Sequence, residues 1–97
     1  RRFRLTLYRV KAPPRRVGCR AQGAKLLRCR VTLRSRGRVI GHGERLHRGA
    51  RAFTVRIVLT PRGSRLVRHG LRRATVVAVA TDTAGRTRRA RIRLRIR

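Results

Sequence analysis

Residues 26–34 read "LLRCRVTLR". Leu27, Cys29, Val31 and Leu33 share one phase of a period of two, and Arg28, Arg30, Thr32 and Arg34 share the other. Successive side chains of a β-strand point to opposite faces, so this alternation predicts a half-buried strand. The same pattern closes the chain. In "RRARIRLRIR", from Arg88 to Arg97, the apolar set Ala90, Ile92, Leu94 and Ile96 is expected to be buried, with Arg89, Arg91, Arg93, Arg95 and Arg97 between them.

Other segments follow suit. Phe3, Leu5 and Leu7 alternate with Arg2, Arg4 and Thr6, and a phase shift at Tyr8 and Val10 predicts a bulge. Pro13 and Pro14 end that segment, and a short strand is expected around Arg16–Cys19. "GRVIG" (37–41) reads as a short strand between glycines, and "FTVRIVLT" (53–60) buries Phe53, Val55, Ile57 and Leu59. Pro61 and Gly63 suggest a turn, and 66–71 a strand or a brief helical turn. "ATVVAVATD" (74–82) is almost wholly small and apolar, as a central strand covered on both sides would be. "DTAGR" (82–86) is a turn in which Gly85 suits a positive φ. About seven short strands separated by turn signals predict an all-β chain, most simply a sandwich.

The 97 residues suffice for one domain, 1–97, and show no linker or internal repeat. A chain of this size buries roughly two thirds of its unfolded surface, so its core is real but modest. A compact domain of this length has a radius of gyration near 12.5 Å and is expected to be about 32 Å wide. Forty per cent of the residues are hydrophobic, which excludes a purely disordered basic tail.

Charge is the extreme property. Thirty basic side chains face only Glu44 and Asp82, a net charge of +28. Two carboxylates cannot pair with so many cations, and the remaining self-repulsion opposes the folded state. A permanent polyanionic partner would relieve it. Apart from Lys11 and Lys25, every basic side chain is arginine, whose planar fork of donors matches phosphate. A GC-rich genome would favour arginine codons too, but it would not remove Asp and Glu. The absence of Asn, Met and Trp is a weak thermophile signal.

Cys19 and Cys29 cannot by themselves form a four-ligand zinc site. They are either a disulfide or two buried thiols. The disulfide is expected, and it implies an oxidising compartment. No stretch approaches the roughly 20 apolar residues of a membrane span. No signal peptide is visible, and the chain begins at Arg1 rather than Met, as expected of a processed or excised form.

Catalytic chemistry finds little support. "HGERLH" groups His42, Glu44 and His47, but it lacks the P-C-x-x-C of a zinc deaminase and the H-E-x-x-H of a metalloprotease. These are expected to be solvated loop residues, as is His69 beside Gly70. Asp82 is better explained as a turn residue accepting backbone donors than as half of a carboxylate pair with Glu44. Nothing brings Ser35 or Ser64 together with a histidine and an acid. No catalytic residue, metal site or cofactor is expected.

"CRVTLRSRGRVIG", "FTVRIVLTPRG" and "VVAVATDTAGRT" before a final alternating strand resemble, in that order, the immunoglobulin-like domains of exported proteins from high-GC Gram-positive bacteria. The resemblance extends from about Val17 to Arg97. It implies a secreted, disulfide-bonded sandwich serving as a binding or structural module at the cell surface or outside it, with no catalytic residues. In that arrangement the last strand pairs with "ATVVAVATD", which pairs with "LLRCRVTLR". Arg28, Arg30 and Arg34 would then flank a floor of small residues on one side, and Arg89, Arg91, Arg93 and Arg95 on the other.

That face is the expected contact with a polyanion, and Arg56 and Arg97 complete the candidate set. Single-strand binding needs aromatic stacking platforms, and only Phe3, Tyr8 and Phe53 exist. Base readout in a groove uses Asn and Gln beside Arg, and Gln22 is the only such amide. Double-stranded DNA held non-specifically by its phosphates, without sequence preference, is therefore the expected partner. The coat would be an extracellular nucleoprotein filament or a smaller homo-oligomer, joined by edge pairing of strand Ala90–Ile96 or Phe3–Leu7. The alternatives are an exported module that binds anionic cell-wall polymer, and a structural RNA-binding protein of ribosomal type.

Overall fold

The computed structural model describes residues 3–8, 10 and 16–96, with backbone alone at His47 and Arg48. In chain order the elements are β1 (Arg4–Tyr8), β2 (Arg16–Gln22), β3 (Leu26–Ser35), β4 (Arg38–Ala50), β5 (Ala52–Arg56), β6 (Val58–Leu59), α1 (Pro61–Arg68), β7 (Arg73–Asp82) and β8 (Thr87–Arg95). They form an all-β sandwich of two antiparallel sheets, ordered β1-β2-β5 and β6-β4-β3-β7-β8. Strand β8 pairs with β7, and β7 with β3, in the expected order. The Pro13–Pro14 segment end and Arg97 lie outside the described residues.

The alternating residues meet between the sheets. Val17, Cys19, Val55 and Phe3 come from the smaller sheet and its approach, and Leu26, Cys29, Val31, Leu33, Ile40, Val76, Ala78 and Ala80 from the larger; all are buried. Burying a large aliphatic or aromatic side chain contributes about 1.5–3 kcal/mol.

Several expectations need correction. The inward set of β3 begins at Leu26, not Leu27, because the register shifts between Leu26 and Arg28 against both neighbours. Leu27 is the extra residue of that bulge, so Leu26 and Cys29 are both buried while Leu27 is not. β1 keeps a regular register from Arg4↔Gln22 to Tyr8↔Gly18, and the bulge expected between Tyr8 and Val10 falls at Arg9, outside the described residues. "FTVRIVLT" is two strands: β5 ends at Arg56 in the smaller sheet and β6 starts at Val58 in the larger, with buried Ile57 at the crossing.

The "GRVIG" segment belongs to a 13-residue strand, β4, that also carries His42, Glu44 and His47. The glycines there do not mark a loop. A Cβ at Gly43 would collide with the carbonyl of Arg56, so glycine serves close backbone approach. Pro61 and Gly63 open a helix rather than form a turn. Thr60 caps α1 by accepting from Gly63 N–H at 2.9 Å, and Pro61 occupies the first turn, where no N–H is needed. Gly63 packs against the Ile40 carbonyl, where a Cβ has no room.

The outward row of β7 has no second layer over it, contrary to a strand covered on both sides: Val79 is 37% exposed. The final strand is half-buried at Ala90, Ile92 and Leu94 and buried at Ile96. The molecule is longer than a sphere of its mass, with extents of 43 × 21 × 19 Å and a radius of gyration of 13.4 Å.

Candidate polyanion interface

The outward face of the larger sheet is set by its register. Arg28, Arg30, Thr32 and Arg34 on β3 stand opposite Thr81, Val79, Val77 and Thr75 on β7. Across β7, Val79, Val77 and Thr75 stand opposite Arg89, Arg91 and Arg93 on β8, and Arg73 opposite Arg95. A floor of threonine and valine thus runs between two rows of arginine. Arg56 does not join them: it lies on β5 in the smaller sheet, opposite Arg16.

The two rows differ in free charge. Glu44, on β4 across from Arg30, forms ion pairs with Arg28 at 3.4 Å and Arg30 at 3.5 Å. Exposed pairs of this kind add little stability, but they occupy two guanidinium groups. No ion pair is found for Arg34, Arg89, Arg91, Arg93 or Arg95 among the described residues.

The other carboxylate, Asp82, is buried at the end of β7. It accepts from Ala84 N–H at 3.0 Å, Arg86 N–H at 2.7 Å and Arg86 Nε at 2.7 Å, and it closes the turn in which Gly85 has φ +83°. Burial pushes its carboxyl up, but the hydrogen bonds and charge of Arg86, with the Ala84 N–H, outweigh that and hold it below the ordinary carboxylate range.

Both acids therefore lie in the half of the sheet nearest the β7–β8 turn, where they pair with Arg28, Arg30 and Arg86. Towards the β3–β4 turn the face deepens into an open cleft of about 1230 Å³. Arg34, Arg36, Arg72, Arg73, Arg91, Arg93 and Arg95 line it, with no acidic residue. The β3–β4 hairpin brings in Arg36: Ser35 pairs with Arg38, and Arg36 and Gly37 make a two-residue turn with φ of 52° and 75°. The Arg34 guanidinium donates to Gly37 O at 3.1 Å. The segment before β7 and the first residue of that strand bring in Arg72 and Arg73, anchored where the Ser35 hydroxyl donates to Arg73 O at 3.3 Å.

Arg36, Arg72 and Arg73 were not singled out by sequence reasoning. "SRGR" between two alternating runs did carry a hairpin signal, since Arg-Gly can fill a two-residue turn. The Glu44 pairing had no sequence signal, because it depends on the register of a strand read as a loop.

The aromatic rings lie elsewhere. Phe3 and Phe53 are buried, and half-buried Tyr8 covers Gly18, with the Arg20 guanidinium 4.7 Å from its ring centre. His42 and Glu44 are exposed on β4, and the described residues contain no group of three or more His, Cys, Asp or Glu able to hold a metal. No helix is long and apolar enough to cross a membrane among the described residues. Cys19 and Cys29 are disulfide-bonded, which is consistent with an oxidising, extracellular setting. Comparison with family models, with curated proteins and with solved structures finds no match to this chain.

Proposed function

We propose that this chain is an exported immunoglobulin-like domain that coats double-stranded DNA through arginine–phosphate contacts, without catalysis and without reading sequence. The acid-free, arginine-lined half of the larger sheet carries this reading. A β-strand advances about 3.4 Å per residue, so alternate arginines on β8 stand about 6.8 Å apart. Arginine–phosphate contacts position a protein on a duplex but carry no sequence information. The disulfide supports export.

The decisive experiment is a titration of duplex DNA at low salt with paired charge reversals. Arg91→Glu with Arg93→Glu should weaken binding more than Arg62→Glu with Arg65→Glu on α1. Equal losses would mean that charge acts without a preferred face. Absence of saturable binding would abandon DNA in favour of anionic cell-wall polymer, which the same face and the same disulfide would serve.

A further inference from the structure

We infer that the cleft beside the β3–β4 turn, where the end of the β8 row meets arginines from the turn and from the start of β7, is a discrete site for a linear inorganic phosphate chain. This rests on the polyanion reading for the affinity of arginine for phosphate, but not on duplex coating.

Two locally unfavourable features meet in this cleft. The register sets Arg73 directly opposite Arg95, and like charges directly across an antiparallel pair repel. Arg36 holds φ 52°, a left-handed backbone that disfavours residues other than Gly, Asn and Asp. Both side chains of the pair and Arg36 line the same concavity. Neither carboxylate reaches them, since Glu44 is engaged by Arg28 and Arg30, and Asp82 by Arg86. Local rules broken together at one place are the mark of a functional site. An anion between the opposed guanidinium groups would reverse the sign of the Arg73–Arg95 term.

The shape and lining select the anion. At about 1230 Å³ the open cleft has room for several linked phosphates. Its guanidinium groups arrive from three directions: the β3–β4 turn, the segment before β7, and β8. The lining holds no aromatic ring, Asn or Gln to recognise a base. A bare phosphate chain fits this chemistry better than a nucleotide.

Calorimetric titration at fixed ionic strength tests the assignment, with tripolyphosphate, orthophosphate and ATP as ligands. Tripolyphosphate should bind one per domain, at least tenfold tighter than orthophosphate, with ATP no tighter than tripolyphosphate. Arg73→Thr with Arg95→Thr should weaken tripolyphosphate binding at least tenfold while leaving Tm unchanged or raised. The matched control, Arg16→Thr with Arg56→Thr, removes the same charge from an opposed pair on the smaller sheet and should cost less than twofold. Arg36→Asn supplies a second variant that relieves the backbone: Tm should rise and tripolyphosphate binding weaken. Equal losses in the two double variants, or binding without one-to-one saturation, would overturn the site. Tighter binding of ATP would replace the bare chain with a nucleotide. Duplex binding that persists after tripolyphosphate fails sinks the cleft alone; tripolyphosphate binding without duplex binding sinks the coat alone.

Discussion

Cys19 on β2 is bonded to Cys29 on β3, so one covalent link joins the smaller sheet to the larger across the core. Neither residue is exposed, at 0% each. The link closes a short loop within the β2–β3 connection. Loop-closure entropy for about 11 residues gives a stabilisation of about 3 kcal/mol. Replacing both cysteines by alanine should therefore lower the unfolding free energy by about that amount or more, since it also removes buried sulfur. Denaturant unfolding measures it, and alkylation of the denatured protein without reductant should add no mass. A variant as stable as the parent would show that packing alone holds the sheets together.

The β character of the chain was legible because alternation depends only on period, and Cys29, Val31 and Leu33 do share the buried face. What was not legible depended on single-residue events. A bulge at Leu27 exchanged the facing of two leucines, and a close approach at Gly43 made a strand from what reads as a loop. The arginine rows followed from strand pairing, whereas the cleft required residues from turns, whose position no period fixes.

Asp82 makes stability depend on acid. Its folded carboxyl titrates below its ordinary value, so the unfolded chain binds a proton more readily. The contribution is complete above the unfolded value of about 3.9 and is lost as pH falls through the folded one. Asp82→Asn should be less stable than the parent at neutral pH, and the gap should narrow as pH falls below the unfolded value of about 3.9, by the same linkage. Denaturation midpoints from pH 7 to pH 2.5 at constant ionic strength test this; a gap that stays constant would remove Asp82 from the acid limb.

Glu44 withholds two guanidinium groups from the face. Glu44→Gln should change stability by less than about 1 kcal/mol, as exposed pairs do. It should nonetheless tighten duplex binding, because Arg28 and Arg30 become free to meet phosphate. Each added phosphate contact steepens the slope of log K against log salt by about 0.9, so a change of up to about 1.8 is expected. An unchanged slope would mean that the β3 row does not touch the backbone.

The length of the molecule predicts how densely it can cover DNA. A duplex carries about one negative charge per 1.7 Å of axis. A domain 43 Å long laid lengthwise covers about 25 such charges, close to its own +28. The 32 Å sphere expected from length alone would have carried a clear excess of positive charge, and the elongated shape removes most of it. Laid crosswise, the 21 Å dimension covers only about 12 charges, and neighbouring domains would repel. The outer edges of β1 and β8 are unpaired in their sheets and could link neighbours, but alternate arginines on β8 oppose edge pairing. Charge matching therefore predicts saturation near one domain per 12–14 base pairs, counting about 3.4 Å per pair. Fluorescence titration of a long duplex against the protein at low salt measures the ratio. Saturation near one domain per 6 base pairs, about the crosswise footprint, would require subunit contacts strong enough to overcome that repulsion, and would make the coat a cooperative filament.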